Sequence, residues 1–205
     1  MPGGASTAPE RTECVREERK RSANAADGPC LDGLLDVHPL AQFVQDRFPG
    51  AVTGVKEAFG ELTISLRKER IADVCRTLRD DPAWRFNFVS DVLSVDFPDD
   101  EERFEVIYHL YSIEKRHRVR LKARVAEDDC RIESVTPVWP GANFMEREVY
   151  DLMGIEFTNH PDLRRILLTD DFDGYPLRKD YPTEGKGWRN TFEFLPKGEG
   201  PSVSR

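Results

Sequence analysis

The feature that most constrains the fold is a strict alternation of apolar and basic residues between His117 and Val125. Successive side chains of a β-strand point to opposite faces, so this period of two predicts a strand with one buried and one exposed face. The apolar set is Val119, Leu121, Ala123 and Val125. The basic set is Arg118, Arg120, Lys122 and Arg124. The region therefore requires a sheet.

Other periodic segments surround this strand. Apolar residues at helical spacing predict one helix from near Asp36 to Phe48 and another over Lys68–Asp80, whose buried stripe includes Cys75. Further strands are predicted at 51–58, 61–66, 86–95 and 103–112. The order α-β-β-α-β-β-β has few long crossovers, which favours an α+β fold. We expect two layers, with the helices on one face of a mostly antiparallel five-stranded sheet.

The sequence divides into three parts. Residues 1–33 are polar, charged and rich in Gly, Pro, Ser and Ala, which predicts a disordered leader. Residues 34–156 carry the α+β domain, which ends with a short helix. For that helix, Asn143 and Glu146 suit a capping box and Gly154 suits the terminating position. Residues 157–205 have many prolines and little periodicity, which predicts a long extended C-terminal docking tail lying across another protein.

Composition argues against several functions. The chain has 38 acidic and 30 basic residues, a net charge of −8, which disfavours nucleic acid as a partner. No apolar run approaches the roughly 18 residues of a membrane span. Residues 1–30 lack the apolar stretch of a secretory signal, so we expect a cytoplasmic chain. The four cysteines include no C-x-x-C pair, so we expect neither a metal centre nor structural disulfides.

Charged residues after the sheet are candidates for chemistry or for docking. Glu148 and Asp151 share a helix face, and Arg147 is spaced to pair with Asp151. Because no nucleophile, base or metal ligand accompanies these carboxylates, we favour ion pairs at a contact between subunits over proton transfer. A second group follows and consists of His160, Asp162, Arg164 and Arg165. Its two arginines favour docking onto a partner's carboxylates over acid–base or metal chemistry.

Two further features, a proline-containing strip and a basic strand face, each have a structural and a functional interpretation. The strip Gly174–Pro182 combines stiffening prolines, charges and tyrosines, a composition typical of an interface, with an ordinary surface turn as the alternative. The basic face from Arg118 to Arg124 has no aromatic residue on its own strand for RNA bases to stack on. We interpret that face as a solvated surface, with an acidic partner as the alternative.

Three blocks in the last third of the chain resemble the signature of a known family. They are WPGANFMEREVYDLMGI (Trp139–Ile155), HPDLRRIL (His160–Leu167) and GYPLRKDYP (Gly174–Pro182). In order and spacing they are similar to the blocks of the thirty-kilodalton subunit of respiratory complex I. In bacteria this family is the C subunit of NADH-quinone oxidoreductase. The predicted α+β order is compatible with the family fold.

The resemblance implies a non-catalytic structural subunit in the peripheral arm of a proton-pumping NADH-quinone oxidoreductase, on the cytoplasmic side of the inner membrane. It implies that this chain binds no cofactor, and that flavin and iron–sulfur clusters lie in partner subunits. The implied partners are the large hydrogenase-like subunit of the quinone module (D type) and the neighbouring iron–sulfur subunits (B and I types). Membrane contact occurs only through the complex. The residues implied in docking are Glu146, Arg147, Glu148, Asp151, Gly154, His160, Pro161, Asp162, Arg164, Arg165, Gly174, Pro176, Arg178, Lys179, Asp180, Tyr181 and Pro182.

Three other interpretations stay open. A homologous subunit of a related membrane-bound hydrogenase or dehydrogenase would serve another electron donor, which binds elsewhere. A free-standing enzyme would use Glu148, Asp151 and His160. A nucleic-acid-binding sheet would use the basic face from Arg118 to Arg124.

Overall fold

The computed structural model describes residues 38–183 of the chain. The predicted leader, residues 1–33, and the part of the predicted tail after Thr183 lie outside these residues. The helices are α1 (Pro39–Arg47), α2 (Ile71–Asp80) and α3 (Ala142–Met153). The strands are β1 (Val52–Ala58), β2 (Glu61–Leu66), β3 (Phe88–Asp96), β4 (Phe104–Ser112), β5 (His117–Val125), β6 (Arg131–Glu133) and β7 (Glu156–Thr158).

Helix α2 follows its sequence pattern closely. The predicted stripe, which includes Cys75 and Leu78, is fully buried. The first predicted turn, Lys68–Arg70, is a 3₁₀ turn instead, closed by a hydrogen bond from the Arg70 N–H to the Arg67 carbonyl. The helix ends at Asp80 because Pro82 forces the residue before it out of the helical region.

Strands β1 to β5 form one sheet in the order β1-β2-β5-β4-β3. Neighbouring strands are antiparallel except for β2 and β5, which run parallel. The parallel pair arises because α2, β3 and β4 separate β2 from β5 along the chain, which gives room for a crossover. The predicted α+β fold with a mostly antiparallel five-stranded sheet is confirmed.

The alternating strand β5 lies at the centre of this sheet. Its apolar side chains are buried, and they share one hydrophobic cluster with side chains of β2, β4, α1 and α2. Since alternate residues of a strand point to one face, the helices cover a single face of the sheet.

The basic side chains of β5 lie on the opposite face, where they find partners. Arg120 pairs with Glu61 at 2.8 Å, and Lys122 pairs with Glu105 at 2.7 Å. Arg118 lies over the ring of Tyr111, 5.5 Å from its centroid. The face stays partly accessible to solvent, and neighbouring strands supply the carboxylates and the aromatic ring that one strand alone cannot reveal.

Helix α3 differs from its prediction at one end. No side chain caps it, and Gly141 precedes its first residue. The capping box of Asn143 and Glu146 is wrong, because Glu146 turns inward and bonds to the loop before the helix. The other end is as predicted: Gly154 follows Met153 with a φ of 75°, the left-handed conformation that ends many helices.

A small second sheet, β6 with β7, does not appear in the sequence prediction. The two strands run parallel, with Ile132 opposite Phe157. Phe157 is 2% exposed and belongs to the hydrophobic cluster. The expected boundary between domain and tail at residue 157 thus falls inside a strand. Strands of three residues are too short for alternation to reveal.

Candidate docking surface

Glu146 on α3 is a buried carboxylate that fixes the loop before the helix. Its oxygens accept hydrogen bonds from the Ser134 hydroxyl (2.6 Å), the Val135 N–H (2.7 Å) and the Thr136 hydroxyl (3.0 Å). Burial raises the pKa of Glu146, and these three donors oppose the rise. With an exposed fraction of 0%, the carboxylate cannot reach another protein.

His160 packs behind Glu146. Its Nδ1 accepts the N–H of Asp162 at 3.1 Å, and its Nε2 lies 3.3 Å from the Asn143 carbonyl oxygen. This pattern assigns the proton to Nε2, which donates to that carbonyl, in a neutral ring. Burial lowers the pKa of His160, which keeps the ring neutral near pH 7. Nδ1 therefore closes a local turn and Nε2 ties that turn to α3, so both nitrogens are engaged within the chain.

Asp151 on α3 anchors the segment after β7, which packs back against this helix. Its carboxylate pairs with Arg165 at 3.0 Å. It also accepts the N–H groups of Ile166 (3.0 Å), Leu167 (2.7 Å) and Leu168 (2.9 Å). Burial alone would raise the pKa of Asp151, but these donors outweigh it and hold the pKa below its usual value. The side chain is fully enclosed by its own chain.

Arg147 lies one turn before Asp151 and has a different role from the one predicted. Its guanidinium donates to the carbonyl oxygens of Arg164 (3.0 Å) and Arg165 (3.1 Å). The predicted Arg147–Asp151 pair is therefore wrong. A buried carboxylate needs several donors, and the returning segment supplies three N–H groups together with a guanidinium.

Tyr175 and Arg178 cover Gly154 at the end of α3. Arg178 donates from Nε to the Met153 carbonyl at 2.7 Å, and its guanidinium lies 4.8 Å from the Phe104 ring centroid and 4.7 Å from that of Tyr175. A Cβ at Gly154 would lie 2.5 Å from the Tyr175 ring and 2.7 Å from Arg178 Nη2. These rings and the carbonyl enclose Arg178, whose side chain is only 18% exposed.

A charge network ties the same strip to the loop between β3 and β4. Arg103 pairs with Asp96 (2.7 Å), Asp180 (3.0 Å) and Glu127 (2.9 Å). The Lys179 N–H donates to Asp96 at 2.7 Å. The Arg103 guanidinium lowers the pKa of both Asp96 and Asp180, and these carboxylates raise the pKa of Arg103. Residues 178–180 are thereby fixed to the sheet.

Sequence reasoning missed Asp96 and Arg103. Each lies at a strand end, where a charged residue is ordinary, and neither belongs to a motif. Asp96 and Lys179 are 83 residues apart in the chain, so spacing gives no signal of their contact.

The other residues predicted to dock remain at least partly accessible, and their contact with a partner stays a prediction. The exposed ones are Glu148, Pro161, Asp162, Arg164, Lys179, Asp180 and Pro182. The partly buried ones are Gly174, Pro176 and Tyr181.

A row of apolar side chains also stays exposed along α3. We call this row the α3 ridge, and its members are Phe144, Ile166, Leu167 and Leu177.

A cleft of about 660 Å³ lies beside Cys130. Acidic residues line one side of it, including Glu127, Asp128 and Asp129. The Cys130 thiol donates to the Gly154 carbonyl at 3.5 Å, and burial raises its pKa. A protonated thiol is a poor nucleophile, so Cys130 is not activated for chemistry.

Neither a metal centre nor a membrane span is present in the described part of the chain. Among residues 38–183, no three His, Cys, Asp or Glu side chains are grouped closely enough to hold a metal ion. None of the helices in that range combines the length and apolarity that crossing a membrane requires.

Known proteins are similar in sequence to most of the region described above. The family model of the respiratory-chain NADH dehydrogenase 30 Kd subunit matches residues 64–187. The C subunit of NADH-quinone oxidoreductase from Geobacter sulfurreducens is 49% identical over 143 residues, which are 69% of this chain and 87% of that protein. The corresponding protein of Roseiflexus castenholzii is 49% identical over 148 residues, 72% of this chain and 85% of that protein.

Solved structures share the fold. The trypsin-resistant fragment (1–134) of Nqo5 is 34% identical, with a TM-score of 0.52, and the match covers 60% of this chain and 98% of that fragment. A chain of the membrane-bound sulfane sulfur reductase, an archaeal respiratory membrane complex, gives a TM-score of 0.61 over 78% of this chain and 96% of that chain. At 22% identity, this second likeness shows the fold alone.

Proposed function

The chain belongs to the family of the respiratory-chain NADH dehydrogenase 30 Kd subunit, and we propose that it is a structural subunit of a proton-pumping NADH-quinone oxidoreductase. In this proposal it lies in the peripheral arm, on the quinone-module side and the cytoplasmic side of the inner membrane. It contacts the membrane only through the complex. It carries no catalytic residue and binds no flavin, iron–sulfur cluster or quinone. Electrons pass from NADH to quinone through cofactors of other subunits.

The supporting observation is that charged residues of the signature blocks bond to groups of their own chain. Glu146, Asp151 and Arg178 bond to donors or acceptors of the same chain at 2.6 to 3.0 Å. A catalytic acid or base must reach the substrate's proton directly or through one water. Charged groups enclosed in this way instead give a surface one fixed shape.

The proposed principal partner is the large hydrogenase-like subunit of the quinone module (D type). The iron–sulfur subunits of the B and I types are the proposed neighbours. We assign the contact with the large subunit to residues 159–183 and the outer side of α3, because the anchors described above hold that segment on the outside of the domain.

Affinity purification from detergent-solubilised membranes tests this proposal. The full-length tagged chain replaces the native one, and an untagged strain is the control. Native gels and mass spectrometry should show the D-, B- and I-type subunits with the tagged chain, in a band that oxidises NADH with a quinone. Recovery with a hydrogenase or with the subunit for another electron donor would favour the related-complex alternative, and recovery of the chain alone would refute both.

A further inference from the structure

The α3 ridge is held outward by buried contacts. Phe144, Leu167 and Leu177 are 62%, 61% and 53% exposed, an unfavourable state for large apolar side chains. The backbone N–H groups of Ile166 and Leu167 bond to the enclosed Asp151 carboxylate. The Leu177 N–H bonds to the Leu152 carbonyl at 3.1 Å. The backbone beneath these side chains is thus fixed, and they cannot turn inward without breaking those bonds.

The ridge follows one element. Phe144 and Leu152 are two turns apart on α3, about 12 Å at 1.5 Å per residue. Residues 166–168 attach at Asp151, and Leu177 attaches at the next residue. The other large apolar side chains that are exposed among residues 38–183 lie on the sheet: Phe59 and Ile113 at hairpin turns, and Phe88 at the first residue of β3. A preformed row of apolar side chains is typical of a binding hot spot, because little entropy is lost when it binds.

The ridge is bordered by acid. Asp170 and Asp171 follow Leu168 after one intervening residue and are exposed, and Glu148 is exposed on α3. The nearby arginines are engaged within the chain: Arg147 bonds to backbone carbonyls and lies over the Phe144 ring, 5.9 Å from its centroid, and Arg164 pairs with Asp162 at 3.0 Å. An acidic border repels phosphate-rich surfaces such as nucleic acid or anionic lipid and favours a basic protein surface.

We propose that the α3 ridge inserts into an apolar pocket bordered by lysines or arginines on the large hydrogenase-like subunit (D type), a proposal that rests on the proposed function. The apolar centre supplies the affinity, and the acidic border sets the orientation and the rate of association.

Substitutions in the ridge test the apolar centre. The full-length chain is coexpressed with the D-, B- and I-type subunits of its own genome, and the dissociation constant of the tagged chain is measured. Leu167→Ala should weaken binding by roughly 30-fold, the loss that marks a hot spot. Ile113→Ala is the matched control, since Ile113 is 57% exposed. Circular dichroism should show both variants folded, because both side chains lie on the surface.

Charge reversal tests the border. Asp170→Lys with Asp171→Lys should slow association by about tenfold at low salt and reduce the salt dependence, whereas Asp99→Lys with Glu101→Lys should not. Equal binding of Leu167→Ala and Ile113→Ala would overturn the inference. The inference would also be overturned if the chain floated with phosphatidylglycerol vesicles and Leu167→Ala abolished that flotation. Failure of the wild-type chain to bind any of the three subunits would instead refute the proposed function.

Discussion

Replacing Gly154 with alanine should release the strip that carries Tyr175 and Arg178. Gly154 has a φ of 75°, so alanine there costs about 1–2 kcal/mol for the left-handed backbone alone. The added Cβ would also lie 2.5 and 2.6 Å from two atoms of the Tyr175 ring. The guanidiniums of Arg165 and Arg178 lie 5.6 and 4.7 Å from the centroid of that ring, so moving the ring disturbs both contacts.

Displacing Tyr175 also displaces Arg178. The hydrogen bond from Arg178 to the Met153 carbonyl has a charged donor, and such bonds contribute roughly 1.5–3 kcal/mol. Gly154→Ala should therefore lower the free energy of unfolding by about 2.5–5 kcal/mol in total. Urea unfolding of the full-length chain measures this loss, provided that the slope with urea stays unchanged.

Gly60→Ala is the matched control. Gly60 has a φ of 74°, and nothing lies within 4 Å of the position its Cβ would take. It should therefore lose only the backbone cost of about 1–2 kcal/mol. Each 1.4 kcal/mol of lost stability raises the population of the opened form tenfold. Because trypsin cuts the opened form, it should cut after Arg178 roughly 30-fold faster in Gly154→Ala than in Gly60→Ala. Equal stability losses and equal cleavage rates would refute the reasoning.

Acid should lower the free energy of unfolding, because Asp96, Asp151 and Asp180 have lower pKa values in the folded chain than in the unfolded one. The stability that they contribute is fully present above the unfolded pKa of about 3.9. It is lost as the pH falls through their folded pKa values. A urea midpoint that does not change between about pH 5 and pH 3 would contradict this. Arg178→Ala should lower the free energy of unfolding by about 2–3 kcal/mol, and Arg178→Lys should recover only part, because an ammonium cannot stack between two rings as a guanidinium does. The purified full-length chain should be colourless, and elemental analysis that found one iron or zinc per chain would contradict the expectation of no cofactor.

The periodic parts of the fold could be predicted from the sequence. The stripe of α2 and the alternation of β5 each repeat over several residues, and burial on one face is the only arrangement that satisfies them. Strands β6 and β7 could not be predicted, because three residues do not establish a period.

The direction in which charged residues point could not be predicted either. Asp151 and Arg178 look like surface charges in the sequence, and the structure turns both inward. What decides this is whether enough hydrogen-bonding partners return from distant parts of the chain. For Asp151 they come from residues 165–168, and for Arg178 from the end of α3 and the start of β4.

The central claim is that the signature residues build a docking surface and perform no chemistry. Its most direct test is quinone reductase activity per intact complex, with Asp151→Asn compared against Asp99→Asn, a substitution at an exposed loop residue. Asp151→Asn should reduce the amount of intact complex on native gels by at least about tenfold, because the segment at 165–168 loses its anchor. The complexes that do assemble should keep near-normal turnover. Normal assembly of Asp151→Asn with collapsed turnover would contradict the claim and place this residue in the reaction path.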